Sequence, residues 1–569
     1  DELKTSLLMN PMDVRGLTSF GNGMTDKNYQ ELEKDRHDLK GSEEFIKAGL
    51  EAVGLINLGK NKEARNKVKS LVKKYPKNIH SYIQAGSLEW SLGNYEESIK
   101  LYKKAREISN EYGLANNGLS VAIKSFLKSQ EKNIKNLDLD SQDYSDLDID
   151  SLKKVFINYN DLTDKYRKIV IYCVYPFKNY LPVLAASGST HYIIPLYEKS
   201  TDYKQGQYVK NQRSFDLRLW DDIRGRGGFD SATGIEDLQG AYFLDFNTLT
   251  HEFTHQVHQY GLTKEQQDKI KELFNNAKKI NNFMDYYSAS NEYEYFAQGV
   301  EAYNSPQGKL TLKATAKNTR ELLLKTDKPL FDYIVQVIQK TDMKENFASS
   351  YTLSGDNYYY RGDFEAANES YQNALKIYPD YYQTLNNMGN MYRYWKTAKE
   401  AKEVHQKAIE KYPSNPEGYL NIGDDDFYLT GDYQASLENY GKALSLKPNN
   451  QEAFYRLANA YYQSGDTINS IKYYKQALEL EPNSSYTYLA LAYNYSVMGN
   501  FDKANESFLK SFEIDRNSPD AHSEFAKLFI DQNMINEAEK ELELAFKIEK
   551  ENIAAISVNA FVEIQKNEF

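Results

Sequence analysis

The feature that most constrains this chain is a period. A turn position recurs at Gly362, Lys396, Gly431, Gly465, Gly499 and Asn533, with successive spacings of 34, 35, 34, 34 and 34 residues. Five residues after each stands a small side chain: Ala367, Ala401, Ser436, Ser470, Ala504 and Ala538. Prolines at Pro379, Pro413, Pro448 and Pro482 fall where the second helix of a unit should end. Units of this length are helix pairs that cannot bury their apolar faces alone, so they must stack on their neighbours. The turn between the paired helices wants Gly, and their close crossing wants Ala or Ser. The single 35-residue spacing places one extra residue near Asp424-Asp425-Asp426, which predicts a helix bulge or a shifted turn.

This pattern resembles the tetratricopeptide repeat. It returns near the start of the chain. Leu58-Gly59-Lys60-Asn61-Lys62-Glu63-Ala64 is echoed 34 residues later by Leu92-Gly93-Asn94-Tyr95-Glu96-Glu97-Ser98, with Pro76 closing the first unit. A third, partial unit runs through Leu114-Ala115-Asn116-Asn117-Gly118. A stack of such units leaves a surface that commonly takes a peptide or protein.

A different signal interrupts the repeats at His251-Glu252-Phe253-Thr254-His255. On a helix the two histidines stand at i and i+4, so both imidazoles leave one face and can take two corners of a tetrahedral zinc site. Glu252 lies between them, placed to take a proton from water at the metal. Asn247 and Thr248 can cap this helix, and Gly261 can end it. A third ligand is sought on a second helix, Asn291-Glu292-Tyr293-Glu294-Tyr295-Phe296-Ala297-Gln298-Gly299-Val300-Glu301. There Glu294, Gln298 and Glu301 share a face, and Glu292 points elsewhere, toward solvent. Glu301 is read either as support for a histidine ligand or as a surface carboxylate. His258 is read either as a hydrogen-bonding neighbour of the ligands or as a partly exposed helix residue.

The pair His-Glu-Phe-x-His and Tyr-x-x-x-Asn-Glu-x-Glu-x-Phe-Ala resembles the catalytic domain of anthrax lethal factor and its relatives, over roughly residues 150–345. The resemblance implies that His251, His255 and Glu294 hold zinc, that Glu252 is the general base, and that Tyr287 donates to the developing oxyanion. Trp220-Asp221-Asp222-Ile223-Arg224-Gly225-Arg226-Gly227-Gly228 looks like a stretch of proline-specific secreted relatives. Arg224 departs from the proline found there, and Gln298 departs from a glutamate, so neither residue inherits a role.

Composition narrows the partners. A formal charge of −11 argues against nucleic acid. No run of 18 apolar residues is present, so no segment is expected to span a membrane. One cysteine, Cys173, lies in the apolar run Ile169–Tyr175 and is expected to be a buried, inert thiol. The Asp-rich stretch around Asn136–Asp140 and Asp146–Asp150 matches no calcium loop and reads as a connection.

The expected architecture is an α+β zincin-type (gluzincin) metallopeptidase domain between all-α tetratricopeptide solenoids. Its parts are an irregular arm at 1–42, repeats at 43–129, an acidic linker at 130–151, the peptidase domain at 152–345, and repeats with a terminal helix at 346–569. Strands are expected at 168–176, 191–197, 205–219 and 240–246, the last two being candidates for the edge beside which substrate lies. The expected function is zinc-dependent endopeptidase action on a protein or peptide, with repeats that recruit substrate or partner. The alternative is a repeat-based binding scaffold with a silent protease-like domain. A secreted or cell-surface location is the expectation, from the resemblance and from a chain that opens without an initiator Met.

Overall fold

The computed structural model describes residues 42–130, 137–214, 218–242, 246–305 and 318–568. The expected arm lies almost wholly outside these residues. The chain divides into two compact units, 1–357 and 358–569. Helices make up 73% of the structure.

In the first unit five helices come first: α1 (Ser42–Asn57), α2 (Asn61–Lys74), α3 (Ile79–Ser91), α4 (Tyr95–Ile108) and α5 (Gly113–Ser129). Gly86 and Gly118 lie against the Tyr102 ring, where an added methyl would come within 2.8 and 2.1 Å of its carbons. The close helix crossing therefore depends on glycine at those two places. Next come α6 (Ile149–Val155), α7 (Asp164–Val174), α8 (Leu181–Ser187), β1 (Thr190–Ile194), β2 (Gly225–Arg226), β3 (Asp230–Gly234) and α9 (Leu238–Tyr242). The unit continues with α10 (Thr248–Gln256), α11 (Lys264–Lys279), α12 (Glu292–Asn304), α13 (Arg320–Thr326), α14 (Lys328–Gln339) and α15 (Lys344–Tyr360).

Among the described residues the sheet has three strands in the order β1-β3-β2. β1 pairs parallel with β3, and β2 pairs antiparallel with β3. The outer side of β1 meets a bridge from Phe156 to His191, so β2 is the open edge.

Three expected strands are corrected. Residues 168–176 belong to α7 and a following 3-10 turn, because their apolar side chains are needed on one helical face: Ile169, Val170, Cys173 and Val174 are buried together. Within 205–219 the described residues hold a 3-10 turn at Lys204–Val209 and a single bridge from Arg213 to Leu219. The stretch 240–246 opens inside α9, and 243–245 lie outside the described residues. The expected strand at 191–197 is present over 191–194 as β1, and 195–197 form the turn that follows.

The expected limits at 129 and 151 do not mark breaks in packing. One hydrophobic core runs from Ile79 and Trp90 through Phe156, Phe177 and Phe253 to Ile334 and Met343. Trp90 stacks on Tyr166 with ring centroids 6.0 Å apart and donates to Ser125 Oγ at 2.9 Å. Asp164–Ser187 forms a helical run whose mean hydropathy reaches 1.3 over 18 residues, which satisfies length and composition for a membrane span. Half of that window is buried within the unit, as a core helix would be.

Glu198, in the turn after β1, is buried at 6% exposure and accepts from the Tyr192 hydroxyl at 2.7 Å. Burial pushes its carboxyl up from 4.5 to about 7. The folded state therefore favours the protonated acid. That stability is complete below 4.5 and is lost as pH rises to about 7. Urea unfolding of Glu198→Gln is expected to show a shallower fall across that window, with a difference from wild type of about 3 kcal/mol by pH 8. Parallel pH curves for the two proteins would refute it.

The second unit contains α16 (Phe364–Ile377), α17 (Tyr382–Trp395), α18 (Ala398–Lys411), α19 (Pro416–Asp425), α20 (Tyr433–Leu446), α21 (Gln451–Gln463) and α22 (Thr467–Leu480). It ends with α23 (Ser485–Val497), α24 (Phe501–Ile514), α25 (Pro519–Asp531), α26 (Ile535–Ile548) and α27 (Ile553–Glu568). The small residues Ala401, Ser436, Ser470, Ala504 and Ala538 are all buried where helix pairs cross. Gly431 and Asn533 turn with φ of +65° and +60°. Lys396 takes φ −116° instead, and Thr397 starts the next helix with a capping box to Glu400. The lysine thus stands where the turn is built without a left-handed residue.

The 35-residue spacing is a π turn, Asp426–Thr430, after α19. It leaves three consecutive carboxylates buried, each paired with a cation, Arg393 being shared by Asp424 and Asp425. Asp424 faces Arg456 at 3.0 Å, Asp425 takes Arg393 Nε at 2.8 Å and His405 Nδ1 at 2.6 Å, and Asp426 faces Lys402 at 2.5 Å.

Candidate metal centre

The motif helix α10 starts as its sequence suggests. Asn247 Oδ1 accepts from the Thr250 N–H at 3.0 Å. Glu301 Oε1 accepts from the Asn247 N–H at 3.0 Å, and the Cys173 thiol donates to Asn247 Oδ1 at 3.2 Å. Phe253 turns inward against Phe156 and Phe177, with centroids 5.7 and 6.4 Å away. Burying that face directs His251 and His255 to the opposite side, toward α12. The helix then loosens into a π turn, Val257–Gly261.

On α12, Asn291 Oδ1 accepts from the N–H groups of Tyr293 and Glu294 at 3.0 and 2.9 Å. This cap fixes Glu294 in the first turn. Its carboxylate reaches His251 Nε2 at 3.1 Å and His255 Nε2 at 3.6 Å, and the two Nε2 atoms are 3.1 Å apart. Among the described residues these three make the one group of metal-type side chains whose ligand atoms all lie within 4.8 Å of one another.

The donor set fits zinc. Two imidazole nitrogens and a carboxylate oxygen are its usual partners, and atoms about 2.0–2.1 Å from a tetrahedral centre stand about 3.3 Å from each other. The observed separations bracket that value. Without a cation, three lone-pair donors facing one another require shared protons. Burial opposes protonation of His251, but Glu294, with Glu252 and Glu301, outweighs it and raises its basicity. Burial likewise raises Glu294, but His251 and His255 outweigh it and hold the acid at about 2.

Glu252 sits beside this group beneath the edge strand. A methyl on Gly225 would lie 2.8 Å from Glu252 Oε1, and one on Gly227 would lie 3.2 Å from His255 Cβ. The two glycines, two apart on an extended chain, turn the same bare face to the motif helix. Burial raises the Glu252 carboxyl, against the pull of His251 and His255. A raised carboxyl suits a proton acceptor working near neutral pH. The glycine spacing was visible in Gly225-Arg226-Gly227-Gly228, but the sequence does not say which helix the glycines approach.

Tyr287 lies half-exposed in the turn before α12, where its backbone oxygen accepts from Ser290. The turn is held further by Ser288, whose N–H donates to Asp285 at 2.7 Å. Three neighbours are corrected or placed. His258 is buried rather than partly exposed, its ring 4.8 Å from Tyr293 and 5.3 Å from Phe296. Burial, with His255 nearby, lowers its pKa to about 3, so it stays neutral. Glu301 is buried, not a surface carboxylate, and holds the start of the motif helix. Gln298 accepts from Asn318 at 3.3 Å.

Sequence models described as tetratricopeptide repeats match residues 79–112, 352–416, 452–484 and 485–518, and a TPR repeat model matches 425–465. The chain carries tetratricopeptide repeats. The matched ranges lie on either side of His251–Glu294. Solved structures similar to the chain include MamA, at 25% identity over 30% of this chain and 92% of that one, TM-score 0.27. PilF of Pseudomonas aeruginosa is 16% identical over 38% of this chain and 98% of that one, TM-score 0.34. YrrB, described as a TPR protein with an unusual peptide-binding site, is 19% identical over 33% and 97%, TM-score 0.28.

Proposed function

We propose that the chain is a zinc-dependent endopeptidase with a gluzincin-type centre, and that its tetratricopeptide repeats hold a protein substrate or partner. The observation that carries this reading is the convergence of His251, His255 and Glu294 with Glu252 beside them. Zinc bound by those three would supply a Lewis acid that polarises the scissile carbonyl and acidifies water. Glu252 takes a proton from the attacking water as its oxygen bonds to the carbonyl carbon. Tyr287 donates to the oxyanion, a contribution worth about 3 kcal/mol. Glu252 returns the proton to the leaving nitrogen as the C–N bond breaks, giving an acid and an amine.

Substrate lies extended along the open edge of β2, replacing the two edges first expected from sequence. A secreted or cell-surface place belongs to the same reading. The repeats favour a second reading, a protein-binding scaffold whose central region is silent.

The test is zinc content measured beside cleavage of an unbiased peptide library, with Glu252→Gln as control. About one zinc per chain and metal-dependent cleavage support the peptidase. Zinc without cleavage moves the weight to the scaffold, and no zinc after reconstitution refutes both the centre and the peptidase. Gly225→Ala is expected to keep its zinc and lower kcat by about 10-fold or more, because the methyl displaces the base. Unchanged kcat would detach Gly225 from the chemistry.

A further inference from the structure

Arg224 immediately precedes β2, and it is the residue at which the Trp-Asp-Asp stretch departs from its look-alikes. It is buried at 7% exposure. Its guanidinium takes Glu236 in a two-pronged bond, Nε to Oε1 at 2.8 Å and Nη2 to Oε2 at 2.9 Å. Nη1 donates to the Glu198 carbonyl at 2.7 Å. Nη2 also donates to the carbonyls of Ile194 and Pro195 at 2.8 and 2.9 Å. One side chain thus joins the end of β1, the turn after it and the segment after β3. Its own backbone oxygen accepts from Gly234, the last residue of β3, at 2.7 Å.

The anchor does not end in the sheet. Glu236 Oε1 also accepts from Asn117 Nδ2 at 3.0 Å, and Asn117 belongs to α5, in the third, partial repeat unit. Three residues on, Gln239 accepts from Ser125 of the same helix at 3.0 Å. The segment between β3 and the motif helix is therefore pinned to α5 at two points along its length. A buried ion pair contributes little net stability, since desolvation offsets the attraction. What it contributes is geometry: an arginine fork accepts few arrangements of its partners.

We propose that Arg224, Glu236 and Asn117 are positioning residues through which the N-terminal repeats set the edge strand β2 over the metal centre. The repeats would then be part of the substrate cleft rather than a separate recruiting module. This rests on the peptidase reading for the word substrate, while the coupling of α5 to β2 stands on the contacts alone.

The test uses the full chain with Asn117→Ala, which removes the hold of α5 on Glu236 without touching sheet or motif and leaves the Ser125–Gln239 bond in place. Arg224→Lys keeps the charge, loses the fork and leaves α5 intact. Hydrogen exchange is followed over 225–234, with 113–129 as the control for α5 itself. Both variants are expected to exchange about 10-fold faster over 225–234 than wild type. For a peptide that wild type cleaves, KM should rise while zinc content and kcat hold. Wild-type exchange at 225–234 in Asn117→Ala overturns the coupling through Asn117 and Glu236, whatever Arg224→Lys does. Faster exchange with unchanged KM overturns the role in the cleft. If wild type binds no zinc and cleaves nothing, the peptidase reading falls, and the exchange result still decides the coupling.

Discussion

Glu252→Gln is expected to lower kcat by about 10³-fold while leaving zinc content unchanged. Glu252 is not one of the three converging ligands, and the amide matches the carboxylate in shape. It cannot accept the proton that must leave water as the new C–O bond forms. The near-equal fit under Gly225 and Gly227 makes misfolding a poor explanation for lost turnover. Unaltered melting and one retained zinc would complete the picture. A variant that turns over within a few-fold of wild type would assign the proton to another group.

Zinc is expected to stabilise the first unit alone. A ligand that binds only the folded state at a thousandfold excess over its Kd adds about 4 kcal/mol. His251, His255 and Glu294 all belong to residues 1–357, and the second unit supplies none of them. Calorimetry with and without chelator should therefore move the unfolding of the first unit upward by several degrees in the zinc form and leave that of 358–569 in place. The metal-free protein is expected to remain folded at neutral pH, because one continuous hydrophobic core holds the unit around the three side chains. Glu294→Ala should abolish the zinc-dependent shift. A shift that persists in Glu294→Ala would mean that zinc binds elsewhere. A shift in the second unit would mean the same.

Local chemistry made much of this legible beforehand. The 34-residue period depends on Gly at turns and Ala or Ser at crossings, and those needs are the same in every unit. The one-residue excess near Asp424 could be read as a bulge because a helix absorbs an insertion by widening one turn. Asn247 announced the start of the motif helix, and i, i+4 spacing put both histidines on one face. Glu294 was within reach as a ligand because the Asn291–Ala302 segment resembles a known pattern, and the cap at Asn291 then fixes where its first turn points.

The misreadings share a cause. The run at 168–176 is apolar whether it forms a strand or a buried helix, and only contact with Phe177 and Phe253 selects the helix. His258 and Glu301 look like surface residues one turn from a motif until α12 covers them. The sequence by itself determined the repeats, the start of the motif helix and the two histidines on one face, because each follows from the spacing of residues along the chain, while Glu294 was singled out by resemblance to a known pattern. Only the tertiary structure decided that the N-terminal repeats share the core of the unit that carries His251, His255 and Glu294, that β2 is the open edge above Glu252, and that Arg224 ties the two together. The first of those facts joins residues more than a hundred positions apart, as Asn117 and Glu236 are. Nothing in a local pattern encodes which distant surface will come to bury it.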